Sequence, residues 1–208
     1  GRLWAHVNPK TPLLRKSLGE QAGKLTLALN DFDHPGAYRS FDWNLSESVW
    51  TAQHTKLFPS EEQEIVSYFQ ERFAAMQAQY ATLPKSVIHN DVNDHNILVS
   101  SNLKQPTVTG IIDFGDAVYA QTVNDVAIVL AYAMMAVPDP LDAAVDVLKG
   151  YSAAYSFSEE ELSCLYTLIA MRLITTVTKA ALRKQEDEAT AYHTVSEQPA
   201  WSLLMKWY

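Results

Sequence analysis

Between Ser86 and Val99 the chain reads SVIHNDVNDHNILV, with polar, reactive side chains packed between two short apolar runs. Asp91 and Asn96 stand on this stretch, and Asp113 closes the later run GIID and opens DFGD. Two carboxylates and an amide carbonyl are hard oxygen ligands, suited to magnesium rather than to zinc. Magnesium sheds water reluctantly and favours sites shared with phosphate, so few protein ligands suffice. A carboxylate left off the metal can accept the proton of an attacking hydroxyl. These oxygens meet only if the short strands around them form one sheet and share one end of it.

The flanking elements can be read from periodicity and punctuation. Val87-Ile88, Ile97-Val99 and the run TVTGIID have strand character. A helix is expected from Pro12 to about Asn30, capped by Thr11, with Leu14, Leu18, Ala22, Leu25 and Leu29 on one face. The following NDFDHPGAYRSFDW is rich in turn formers. A second helix starts at Ser60, with Ser60 and Gln63 as a capping box and Ile65, Phe69, Phe73, Met76 and Tyr80 as its stripe. After Asp116 the pattern turns helical and stays so. Asn124 or Asp125 caps a core helix ending at Val137, and Asp139 caps the next, with Pro140 in its first turn. Ser158 and Glu161 box a long helix whose Leu162, Leu165, Ile169, Leu173 and Val177 face inward. The terminal PAWSLLMKWY has helical character. The fold class is α+β: a mostly helical lobe with a small central hairpin or sheet.

Bulk properties narrow the function classes. With 208 residues, 48% of them hydrophobic and 19% charged, the chain buries a core as one domain or one large lobe. A net charge of −8 argues against nucleic-acid binding, which uses a basic face. The only cysteine, Cys164, lies in an apolar helical pattern, so no internal disulfide forms and a reducing cytoplasm is the expected compartment. GRLWAHVNPK holds no apolar signal core, and VAIVLAYAMMAV is too short for a bilayer, so no membrane partner is expected.

HNDVNDHN fits the pattern H-x-D-x-x-x-x-N, and IIDFGD fits its companion metal motif. Together they resemble the catalytic core of protein kinase-like small-molecule kinases, the aminoglycoside phosphotransferase and choline kinase group. VIHNDVNDHNILV and GIIDFGDAVYA are most similar to hydroxylysine kinase-type members. The resemblance runs from about Trp4 to the helices after Asp125. It implies that Asp91 is the base and that His89 orients the loop. It gives Asn96 and Asp113 the magnesium that accompanies ATP or GTP, with γ-phosphate passing to a small, amine-bearing or aminoglycoside-like acceptor. Asp125 matches an aspartate that caps a helix and braces the loop. Asp116 is an acid that would meet metal or a substrate amine, and Asp94 is expected to meet substrate. Where the family often has Gly, this chain has Asn90, a residue tolerant of unusual backbone angles.

Each residue also has a plain structural alternative. Asp91 and Asp116 can be loop acids, Asn96 a strand cap, Asp113 a strand-end carboxylate, and His95 a solvated loop residue. Trp43 and Trp50 read as packing residues ahead of a cation cage. None of the seven glycines forms G-x-G-x-x-G, and no strand carries the lysine a kinase sets against phosphates. The expectation is therefore a C-terminal lobe whose N-terminal β lobe is absent from the chain, with that lobe as its partner and little activity alone. Two other functions stay open: a degenerate lobe that binds a ligand or scaffold, and a zinc hydrolase using His89, Asp91 and His95.

Overall fold

A computed structural model describes residues 1–186 and 195–208. The elements run β1 (Arg2–Leu3), α1 (Pro12–Leu29), a 3-10 stretch (Leu45–Leu57), α2 (Ser60–Tyr80), β2 (Lys85–Ile88), β3 (Ile97–Val99), β4 (Val108–Ile111), β5 (Val118–Gln121), α3 (Val123–Met134), α4 (Pro140–Tyr151), α5 (Glu159–Gln185) and α6 (Glu197–Trp207). Every residue of α3 is buried, and α1, α4 and α5 pack around it. Each fully enclosed Val, Ile or Leu there contributes roughly 1.5–3 kcal/mol of transfer free energy, so α3 is the keel of the core. By length and composition α5 could cross a membrane, but 78% of its apolar window is buried inside the fold, as in a core helix.

The helix ends follow local chemistry in part. The Thr11 hydroxyl accepts from Leu14 N–H, Asp139 accepts from Asp142 N–H, and Ser158 and Glu161 form the reciprocal box. The box expected at Ser60 does not form. Pro59 is the N-cap, Ser60 is already helical, and Gln63 Nε2 reaches back to Phe58 O at 2.7 Å. Neither Asn124 nor Asp125 caps α3: both lie inside its first turn, and Thr122 precedes it without a side-chain cap. Leu162 is 44% exposed, because the buried face of α5 is rotated toward Cys164 and Leu168.

The strands depart further from expectation. They form two antiparallel sheets, one ordered β1-β3-β4 and one β2-β5. Residues 118–121, expected to be helical, pair as β5 with β2, Ile88 opposite Val118. The loop from His89 to Asn96 therefore leaves one sheet and enters the other. The loop from Ile112 to Ala117 makes the same crossing in reverse, from β4 to β5. The two loops lie side by side across the gap, which serves the purpose that a single sheet edge was expected to serve.

The contact between α1 and α4 rests on glycines. A Cβ at Gly19 would stand 1.9 Å from Val147 O, and one at Gly150 2.0 Å from Lys16 O. Backbone on backbone leaves nowhere for a methyl group to go. Gly150→Ala gains about 1 kcal/mol of helix propensity and loses more to forced separation of the helices. The expected result is a net loss of about 2 kcal/mol in urea unfolding. Gly110→Ala, whose Cβ would meet only Leu98 Cδ1 at 3.8 Å, serves as the tolerated control.

Candidate active site

The first loop is built on a left-handed turn. Asn90 has φ of 63°, a region that Asn enters more readily than most residues. Its N–H donates to Asp125 Oδ1 at 3.0 Å, and its Nδ2 donates to Trp43 O at 3.2 Å. Asp125 is fully buried, and its other oxygen accepts from the Thr26 hydroxyl at 3.2 Å. Thr26 in turn shares a short hydrogen bond with Tyr151. The glycine-tight α1–α4 pair thus places the Thr26 hydroxyl that holds Asp125 and the Tyr151 hydroxyl that bonds Thr26, and Asp125 holds the turn. It braces the loop without capping its helix.

That turn aims His89 and Asp91. His89 is buried, and both ring nitrogens meet the backbone: Asp91 N–H donates to Nδ1 at 3.2 Å, and Nε2 lies 3.1 Å from Ile112 O. An acceptor at Nδ1 assigns the proton to Nε2. No nitrogen is left for zinc, which takes away the first ligand of a zinc hydrolase. Asn96 Nδ2 donates to both the backbone O and Oδ2 of Asp91, each at 2.8 Å. Asn93 Nδ2 donates to Oδ2 as well, at 3.0 Å. Asn96 Oδ1 then accepts no hydrogen bond among the described residues and is the oxygen available to an outside ligand.

The second loop is stitched to the first. Ile112 N–H donates to Asn96 O at 3.0 Å, and the Phe114 ring lies 4.7 Å from that of His89. Asp113, also left-handed at φ 66°, is exposed, and its Oδ1 accepts from Gly115 N–H at 3.1 Å. It makes no direct bond to Asp91 or Asn96; adjacency of the loops brings it to their side. Among the described residues no three His, Cys, Asp or Glu side chains converge on a metal position. One amide oxygen and one carboxylate, with phosphate completing the shell, suit a hard divalent ion.

A cleft of about 220 Å³ opens beside Asp91. Asp94, His95 and Asp116 line it from the loops, while Asn96 and Asp113 do not. Asp94 stands 3.9 Å from the His95 ring. Asp116 is half-buried and 4.0 Å from Arg39. Burial pushes its carboxyl above the usual range; Asp91 adds to this, Arg172 and Arg39 oppose it, and Asp113 adds again. One face of α5 brings Arg172, Thr176, Lys179 and Arg183 to the same cleft. The Arg172 guanidinium sits 4.8 Å from the Trp43 ring, and Lys179 Nζ 5.5 Å from that of Trp50. Both tryptophans hold cations after all, and the cations belong to the chain itself. Arg172 was missed in the sequence, although a lone arginine in CLYTLIAMRLITTV is a signal, since arginine is almost never buried unpaired.

Comparison with known proteins bears on this arrangement. A family model described as phosphotransferase enzyme family matches residues 1–162. Hydroxylysine kinase of Mus musculus is 28% identical over 201 residues, covering 91% of this chain and 54% of that protein. The Bos taurus hydroxylysine kinase is 28% identical over 220 residues, covering 100% and 58%. The chain therefore spans about half the length of the curated relatives it matches. Among solved structures, an amicoumacin kinase in complex with AMP-PNP, Ca2+ and Ami superposes with TM-score 0.67 at 15% identity, over 99% of this chain and 62% of that one. A microcompartment-associated aminopropanol kinase gives 0.65 at 16%, over 93% and 61%. At these identities the superpositions speak for the fold.

The brace carries a pH signature. Burial raises the Asp125 carboxyl, opposed by His89 and by the Asn90 N–H. The native state then holds a proton at pH values where the unfolded chain has released it. Stability falls as pH rises from the ordinary aspartate range through the raised native value. Urea midpoints across that window should fall in the wild type, and Asp125→Asn should remove that part of the slope. Asp125→Ala, which strands the Asn90 N–H, should cost about 2 kcal/mol.

Proposed function

The chain belongs to the phosphotransferase enzyme family, and from that premise we propose that it is the C-terminal lobe of a small-molecule kinase. The donor is ATP or GTP, and the acceptor is a hydroxyl of a small amine-bearing metabolite. The observation that carries this reading is the pair of stitched loops, with Asp91 anchored beside an open cleft and Asn96 Oδ1 and Asp113 on the neighbouring side. Asn96 and Asp113 would hold magnesium, which when bound supplies charge neutralisation for the phosphates. Asp91 orients the acceptor hydroxyl and takes its proton. The hydroxyl oxygen forms the new bond to the γ-phosphorus as the bond to the β–γ bridging oxygen breaks, and the nucleoside diphosphate leaves. His89 keeps the loop in place through backbone contacts and has no proton to give to substrate.

The cleft favours an acceptor with both charges. Its acids come from the loops and its cations from α5, where Lys179 is paired with Asp42 at 2.6 Å. A hydroxylated amino acid such as hydroxylysine, the acceptor named in the curated relatives, is the first to assay, ahead of a polycationic aminoglycoside. Asp116 and Asp94 are the acids proposed for its amine. The lone buried Cys164 supports a reducing cytoplasmic setting.

Phosphoryl transfer depends on positioning and charge stabilisation, so the 208 residues alone should turn over poorly. Joined to a preceding lobe with a phosphate-covering loop and lysine, they should become active. In that longer protein Asp91→Ala should abolish transfer, by about 100-fold or more, with nucleotide affinity nearly unchanged by calorimetry. Near-normal turnover by Asp91→Ala would remove the base assignment, and rapid turnover by the lobe alone would remove the need for a second lobe.

A further inference from the structure

Arg172 is 2% exposed, at the centre of α5, and a charge so placed calls for an explanation. Its Nη2 donates to Asp91 Oδ1 at 2.9 Å and lies 3.4 Å from the Tyr132 hydroxyl. Its Nη1 lies 3.5 Å from Trp43 O, the carbonyl that also accepts from Asn90 Nδ2. The guanidinium is flanked by the Trp43 ring at 4.8 Å and the Tyr132 ring at 5.5 Å. Its Nε is buried with no hydrogen-bond partner among the described residues. Burying a guanidinium that leaves one donor unsatisfied is a poor way to gain stability, and apolar replacements of buried ion pairs are often neutral. The arrangement makes sense if geometry at Asp91 is what it secures.

The hydrogen-bond count at Asp91 says which geometry. A carboxylate oxygen offers about two lone-pair sites. Both at Oδ2 are taken, by Asn93 Nδ2 and Asn96 Nδ2. At Oδ1 Arg172 alone is bound among the described residues, which leave one site open. Asp91 and Arg172 both line the cleft.

We infer that Arg172 is a positioning residue of the transfer reaction: it fixes Asp91 so that Oδ1, and not Oδ2, receives the acceptor hydroxyl from the cleft side. The inference rests on the kinase reading and adds to it the identity of the accepting oxygen and of the residue that presents it. Arg172 acts through Asp91, and among the described residues its hydrogen bonds go to Asp91, Tyr132 and Trp43, not to the residues proposed for magnesium.

The test uses the protein that includes the preceding lobe, with ATP, magnesium and hydroxylysine, or whichever acceptor the wild type turns over. Arg172→Met should lower kcat about 100-fold, the loss expected of a misaligned reacting group. Its KM for nucleotide and its calorimetric affinity for magnesium-nucleotide should stay near wild type, while its melting temperature falls, because one partner of a buried pair has been removed. Arg172→Lys keeps the charge but not the planar fork, and should recover part of kcat without moving nucleotide affinity. If Arg172→Met does not fold, Arg172→Lys carries the test, and wild-type kcat in it overturns the inference. Loss of stability and nucleotide affinity in step with kcat would mark Arg172 as merely structural and would also overturn it. Should the Arg172 variants stay active while Asp91→Ala is dead, this inference fails and the kinase reading stands. If Asp91→Ala is itself active, the kinase reading fails.

Discussion

One buried hydrogen bond sets the rest of the site: the Asn90 N–H on the Asp125 carboxylate, 3.0 Å away in the core. A left-handed residue on a loop persists only where its surroundings over-determine it. Asp125 supplies that constraint from α3, every residue of which is buried, and the Thr26 hydroxyl fixes the second oxygen from α1. Burial raises that carboxyl, so ionising it offsets part of the stability the brace gives. What it secures is direction. Asn90 turns the chain so that His89 points into the seam between the loops while Asp91 points toward the cleft.

From that turn the site is assembled by crossing two gaps at once. A single sheet edge would place loop ends together by strand pairing. Here each loop joins different sheets, and backbone contacts from Ile112 to Asn96 and His89 do the joining. Charges of both signs meet in the same small volume. Asp91, Asp113 and Asp116 gather on one side, and Arg172 and Arg39 enter from α5 and from the turn-rich segment before Leu45. Like charges so close repel in the absence of cations. The surplus of carboxylate where a triphosphate would arrive is intelligible if divalent ions accompany it.

Much of this was legible in the sequence, for reasons specific to each segment. Thr11-Pro12, Asp139-Pro140 and Ser158 with Glu161 announce helix starts because capping is local chemistry. The α3 run is apolar on every side because it is buried on every side. The motif residues could be named because their spacing along the chain is itself informative. Other features depend on partners far away in sequence. VYAQ looks like the lead-in to a helix until β2, more than one element earlier, offers it a ladder. Ser60 fits a capping box, but Pro59 takes the cap position. The 3-10 stretch at Leu45–Leu57 has no periodicity to betray it. Arg172 gains its meaning only when Trp43, Tyr132 and Asp91 close around it.

The central proposal is that Asn96 and Asp113 would hold magnesium beside Asp91, the proposed base. A crystal structure of the chain joined to the proposed preceding lobe, with magnesium and a non-hydrolysable nucleoside triphosphate, tests it directly. The account predicts Asn96 Oδ1 and an Asp113 oxygen at about 2.1 Å from magnesium, with Asp91 off the metal and facing the cleft. Magnesium bound elsewhere, or held with neither of those side chains, would contradict it.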